Sequence, residues 1–152
     1  MPLNIVLFEP EIPNNTGNIG RLALASGCKL HLVKPFGFEI DDAKLKRAGL
    51  DYWPHLQVIY YDSISEFFNI NGSKKLIFLS SHGTKNHWDI PFEDNMFLIF
   101  GKESVGLPKH IIETYESSLF KIPIYNEKVR SLNLSNAVSI IVYEGLRQLT
   151  FK

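Results

Sequence analysis

Short apolar runs rich in Ile, Val, Leu and Phe recur along this chain with helical patterns between them, and that alternation limits the fold more than any other feature. The runs are Leu3–Phe8, Leu30–Val33, Val58–Tyr61, Leu76–Leu79, Phe97–Phe100 and Phe120–Ile124. Each is continuous rather than alternating in polarity, as in strands covered on both faces. Helical spacing is read at about 17–26, 41–48, 63–69, 108–115 and 134–149. Alternating elements of this kind predict an α/β fold, a mainly parallel sheet flanked by helices. No repeat, low-complexity tract or linker interrupts the pattern, so residues 1–152 are read as one domain, long enough to bury a real core.

Composition narrows the function classes. The 16 basic and 16 acidic residues cancel, so nucleic-acid binding is not signalled globally and has to rest on a local patch. Candidate patches are Lys44, Lys46 and Arg47, then Lys128 and Arg130, with Lys29 and Lys34 further off. No apolar run approaches the roughly 20 residues of a membrane span. The opening residues lack the pattern of a secretory signal. The single cysteine, Cys28, excludes an internal disulfide and reads as a small packed side chain. A cytoplasmic protein with no membrane partner is the expectation.

Three polar clusters sit where strands give way to helices. The first, Glu9-Pro10-Glu11-Ile12-Pro13-Asn14-Asn15-Thr16-Gly17-Asn18-Ile19-Gly20-Arg21, follows the first strand, the favoured ligand position in a parallel sheet. Asn15 or Thr16 is expected to cap its helix, and Arg21 to point away from the Ile19, Leu22 and Ala23 stripe. Its glycines match neither the dinucleotide fingerprint nor a P-loop. The second, Gly101-Lys102-Glu103-Ser104-Val105-Gly106-Leu107-Pro108, ends a buried strand. Gly101 is read as admitting a ligand to the backbone, Gly106 as allowing a tight turn. Glu103 is the one carboxylate of that loop.

The third cluster, Arg130-Ser131-Leu132-Asn133-Leu134-Ser135-Asn136-Ala137, opens the last helix with more capping residues than a cap needs. The surplus points to a ligand. That helix presents Leu134, Val138, Ile141, Val142 and Leu149 on one face, and Ile140 and Tyr143 on the other. A helix apolar on both sides is covered on both sides, which predicts a homodimer. His82, His87 and Asp89 have no metal-ligand spacing, so no metal is expected.

Taken together and in this order, the three clusters resemble the SPOUT class of RNA methyltransferases, in its SpoU branch. Asn15-Thr16-Gly17-Asn18-Ile19-Gly20-Arg21 resembles the branch's first motif and Phe100-Gly101-Lys102-Glu103-Ser104-Val105-Gly106-Leu107 its second. Ile122-Pro123 through Ser131-Leu132-Asn133-Leu134-Ser135-Asn136-Ala137 resembles the third. The shortness of the chain, Pro10–Asn15 and Arg47–Tyr52 bring it nearest to members that methylate the wobble ribose of tRNA. The resemblance implies a C-terminal trefoil knot, a homodimer and S-adenosylmethionine as cofactor. It implies 2′-O-methylation at position 34, cytidine or modified uridine, of leucine tRNA isoacceptors.

Carried over residue by residue, the cofactor pocket would involve Leu79, Gly101, Ile122, Ser131 and Leu132. Arg21, Asn15, Glu103 and Asn133 would form the catalytic group. A guanidinium is always protonated, so Arg21 is read as stabilising a developing alkoxide rather than as a base. Arg130 and Tyr143, with Lys44 and Arg47, are the expected contacts to the anticodon loop. Two other readings stand beside this one: a silent RNA-binding protein on the same fold, and a nucleotide-binding α/β enzyme of other chemistry.

Overall fold

A computed structural model describes residues 2–39 and 51–150. Seven strands run in parallel: β1 (Asn4–Phe8), β2 (Lys29–Val33), β3 (Val58–Tyr61), β4 (Leu76–Leu79), β5 (Lys85–Asn86), β6 (Phe97–Phe100) and β7 (Leu119–Lys121). Their order across the sheet is β3-β2-β1-β6-β4-β7-β5. Among the described residues four α-helices accompany them: α1 (Pro13–Ser26), α2 (Ile64–Asn71), α3 (Lys109–Thr114) and α4 (Leu134–Thr150). The predicted helix at 41–48 lies outside the described residues. Among the described residues no helix is long and apolar enough to cross a membrane.

Alternate residues of each strand feed two cores, as the period of a strand requires. Ile5, Leu7, Leu30, Leu32, Ile77, Leu79, Leu98, Phe100 and Phe120 join Ile19, Val138 and Ile141 beneath α1 and α4. Val6, Phe8, Val33, Phe78, Ile99 and Leu119 face Phe67 and Ile111 beneath α2 and α3. Covering both faces is why the strands read as unbroken apolar runs. Cys28 is buried, as expected of a small packed side chain, and burial pushes its thiol pKa up.

Some boundaries moved. The run at Phe120–Ile124 becomes Leu119–Lys121, because the chain turns away to form the loop before α4. The helix at 108–115 is Lys109–Thr114 followed by a 3₁₀ turn at Glu116–Ser118. Helix α1 starts at Pro13, four residues before its apolar stripe suggested, with Ile12 at the N-cap and no side-chain cap. Proline's fixed φ suits the first helical position. Asn15 and Thr16 therefore lie inside the first turn, buried, and neither caps it. Strand β5 has two polar residues and carries no apolar signal.

The placement of β7 is unusual. It fills the slot between β4 and β5, two strands joined by residues 80–84. From β5 the chain returns to β6 on the other side of β4, where the Phe97 N–H donates to the Lys75 carbonyl at 2.9 Å. The Ser80 N–H donates to the Phe120 carbonyl at 2.9 Å, and a Cβ on Gly83 would fall 2.6 Å from the Phe120 carbonyl carbon. The chain enters β7 from α3 on one face and leaves toward α4 on the other. It changes faces between strands of one continuous segment, residues 75–97.

Candidate active site

Because every strand runs the same way, the loops that follow them leave along one edge. Register aligns Leu7, Phe100, Leu79 and Phe120 in one row across β1, β6, β4 and β7. Just beyond that row come residues 9–12, 101–107, 80–84 and 122–133. A parallel α/β sheet binds ligands at this carboxyl edge.

Two of the loops are clasped reciprocally. The Glu103 carboxylate accepts from the Glu11 N–H (2.8 Å), the Ile12 N–H (2.8 Å) and Asn15 Nδ2 (3.1 Å). In return the Glu11 carboxylate accepts from the Ser104 N–H (2.9 Å) and the Ser104 hydroxyl (2.6 Å). Those two bonds, the hydroxyl's first, hold the Glu11 pKa below its ordinary value. Glu103 thus does the work of an N-cap from across the sheet, taking N–H groups at the α1 entrance that no local side chain meets. The Gly101 reading broadens. A Cβ there would lie 2.1 Å from the Gly106 carbonyl carbon, so the bare backbone is also what admits the loop's own return. Gly106 makes the turn at φ +72°, as expected of glycine.

The third cluster is tied to the first. Asn133 Nδ2 donates to Asn15 Oδ1 at 3.2 Å, extending the chain of bonds from Glu103 through Asn15. Asn133 Oδ1 accepts from the Ser135 N–H (2.9 Å), the Ser135 hydroxyl (2.5 Å) and the Asn136 N–H (3.3 Å). Asn133 is therefore the capping side chain of α4. Ser131 and Leu132 beside it are exposed.

Arg21 lies two turns along α1, exposed as expected, with no side-chain hydrogen bond or ion pair among the described residues. Its positive field reaches Tyr52, whose hydroxyl donates to the Gly17 carbonyl at 2.5 Å. Burial raises the Tyr52 pKa, and Arg21 acts against that rise. The structure brings Asn15, Glu103 and Asn133 into one network and, among the described residues, gives the Arg21 guanidinium no hydrogen-bond partner. Leu79 and Gly101 are buried at the edge, and Ile122 is half-buried. Arg130 and Tyr143 are exposed; Lys44 and Arg47 lie outside the described residues.

Sequence reading missed Glu11, Ser104 and Tyr52 as individual contributors. Glu11 and Ser104 are 93 positions apart, and no local pattern announces their pairing. A cleft of about 530 Å³ lies elsewhere, lined by Lys74, Lys75, Tyr115 and Ser118 near the amino end of β4, away from these loops. Among the described residues no group of three His, Cys, Asp or Glu is placed to hold a metal ion.

A parallel sheet with three polar loops tied at its carboxyl edge defines a ligand-binding α/β domain. The model of the SpoU rRNA Methylase family matches residues 2–143. A tRNA (cytidine(34)-2′-O)-methyltransferase of Saccharophagus degradans is 47% identical over 150 residues, covering 97% of this chain and 96% of that protein. A solved structure concerned with 2-OH methylation of C/U34 on tRNA superposes with a TM-score of 0.91 at 42% identity, covering 99% of this chain and 97% of the other. The SpoU methyltransferase AviRb of Streptomyces viridochromogenes, solved with AdoMet, gives a TM-score of 0.82 at 25% identity, covering 98% of this chain and 58% of its own. This chain belongs to the SpoU methylase family.

Proposed function

We propose that the protein transfers a methyl group from S-adenosylmethionine to the ribose 2′-hydroxyl of the wobble nucleotide, position 34, of tRNA. The observation that carries this reading is the Glu103–Asn15–Asn133 chain of hydrogen bonds, which joins all three polar clusters at the ligand edge of the sheet. The relative of 47% identity bears that activity in its name.

The edge suits the cofactor chemically. Adenine and a thioether chain need apolar walls and backbone partners, and Leu79, Ile122 and the exposed Leu132 offer the walls. The loop backbones at Gly101 and Ser131 offer the partners. Bound there, the cofactor supplies an electrophilic methyl group. Arg21 holds a permanent positive charge with free donors and stabilises the alkoxide that develops as the hydroxyl loses its proton to a substrate phosphate or to water. Asn15, Glu103 and Asn133 hold the loops in register, and Arg130 with Lys44 and Arg47 takes the anticodon-loop phosphates.

The working unit in this reading is a homodimer in the cytoplasm. Ile140 is 38% and Tyr143 51% exposed on the outward face of α4, beside α1, which supports cover by a second copy. The passage of β7 through the slot bounded by residues 75–97 supports the trefoil knot.

Incubation with labelled S-adenosylmethionine and total tRNA, followed by mass spectrometry of the digested product, tests the function. A single 2′-O-methyl mark at position 34 is expected, and the marked isoacceptors show whether leucine tRNAs are the substrate. Tight RNA binding without methyl transfer means a silent RNA-binding protein instead.

A further inference from the structure

The loop between β7 and α4 carries an aromatic ring that neither the fold nor the proposed chemistry uses. Tyr125 is 88% exposed, the most of any large hydrophobic side chain among the described residues. Among the described residues no ring stacks on it and no side-chain hydrogen bond holds it there. Two other exposed aromatics rest on neighbours, Trp88 on His87 and Tyr60 on Phe36, and Tyr143 lies on the outward face of α4.

The segment around the ring is ordered and basic. Pro123 stiffens its approach, and Asn126 closes a turn, its Oδ1 accepting the Lys128 N–H at 2.9 Å and its carbonyl the Val129 N–H at 3.2 Å. Tyr125 stands on the shoulder of that turn. Lys121, Lys128 and Arg130 surround it in sequence against the single carboxylate of Glu127. Ile122, three residues before, packs at the carboxyl edge; Ser131 and Asn133 follow within eight. A flat ring set among cations beside a ribose-modifying edge is the arrangement that single-stranded RNA takes, by base stacking and phosphate pairing.

We propose that Tyr125 is a stacking platform for a base next to the nucleotide being methylated, with Lys128 and Arg130 holding the adjoining phosphates. This inference rests on the tRNA reading above, and it adds a residue that places the substrate. The cation excess favours RNA over a second copy of this chain, whose own surface at this loop is equally positive.

Steady-state methylation and equilibrium binding of an anticodon stem-loop, with the full-length enzyme, test it together. Tyr125→Ala raises the KM for tRNA and the stem-loop Kd by about 5- to 100-fold, the usual effect of losing one stacked base, while kcat stays within about twofold. Tyr125→Phe and Tyr125→Trp restore both constants, because stacking needs the ring and not the hydroxyl. Lys128→Ala and Arg130→Ala each lower the salt dependence of binding by about one ion. The inference is overturned if Tyr125→Ala leaves the Kd unchanged, or if Tyr125→Phe is as weak as Tyr125→Ala. It is also overturned if Tyr125→Ala acts by weakening S-adenosylmethionine binding or by changing the oligomeric state. Absence of methyl transfer by the unaltered enzyme counts against the function, whereas the stem-loop Kd still decides the role of Tyr125.

Discussion

Two polar networks share this sheet, and they differ in whether they are closed. Beneath α2, Lys74 Nζ donates to Asn71 Oδ1 (2.9 Å), Asn71 Nδ2 to the Tyr61 hydroxyl (3.0 Å), and Tyr61 pairs with His31 Nδ1 (2.9 Å). His31 Nε2 pairs with Asn4 Oδ1 (2.9 Å), and Asn4 Nδ2 donates to the Asn95 carbonyl (3.0 Å). An ammonium only donates and a carbonyl only accepts, so the ends set the direction of every bond between them. His31 accordingly carries a proton on Nε2, and burial keeps the ring neutral, so Nδ1 accepts from the Tyr61 hydroxyl. At the carboxyl edge, by contrast, Glu103, Asn15 and Asn133 spend their bonds on one another and on backbone, while the side chains of Arg21, Arg130 and Ser131 make no hydrogen bond among the described residues. Saturated polar groups hold a fold; free ones beside a saturated frame make a site.

Three changes break or sharpen that contrast. The largest effect is expected at Arg21. Arg21→Ala lowers kcat by about 10²- to 10³-fold, as loss of one group that stabilises a developing oxyanion does. Calorimetry should find S-adenosylmethionine binding near normal, and turnover comparable to the unaltered enzyme would remove Arg21 from the mechanism.

The closed network predicts a pH effect of different character. His31 is 4% exposed, and its pKa is lowered to about 4 by burial first and by Lys29 and Lys74 second. Unfolded, the imidazole takes a proton below about 6.5, while folded it resists, so between those values the unfolded state binds more protons. Stability is therefore full above the unfolded value and falls with pH toward about 4, by about 3 kcal/mol. In urea titrations at pH 7 and pH 4, His31→Gln should lose most of that difference. An equal fall in both proteins would show that His31 does not titrate as the network requires.

Glu103→Gln is the smallest of the three and the most selective. Both carboxylate oxygens accept N–H donors, so an amide turns one of its own donors against Glu11, Ile12 or Asn15. A loss of about 1–3 kcal/mol in unfolding free energy is expected, together with reduced methyl transfer. Unchanged stability by denaturant titration would mean that the Glu11–Ser104 half of the clasp suffices.

Much of the architecture was legible in the chain. Five of the six apolar runs became strands within one residue of their read limits, because a strand covered on both faces leaves an unmistakable apolar signature. Strand β5 left none, being two polar residues at the sheet edge. The three polar clusters were legible as clusters, and Arg21 as an outward-facing cation, since both follow from local spacing. Which groups join was not. Asn15 looked like a cap and is instead a buried bridge, and the close return of the loop at Gly106 onto Gly101 had no signal in the chain.

The sequence by itself determined the layered α/β fold, the outward face of α4 and the chemical types gathered at each strand end, because periodicity and helix-entrance chemistry act over a few residues. Only the tertiary structure decided that Glu103 caps a helix 92 residues away, that Ser104 donates in return to the Glu11 carboxylate, and that β7 lies between β4 and β5. Those outcomes depend on which strand ends become neighbours, and order within a sheet is set by packing across the whole chain rather than by any local run.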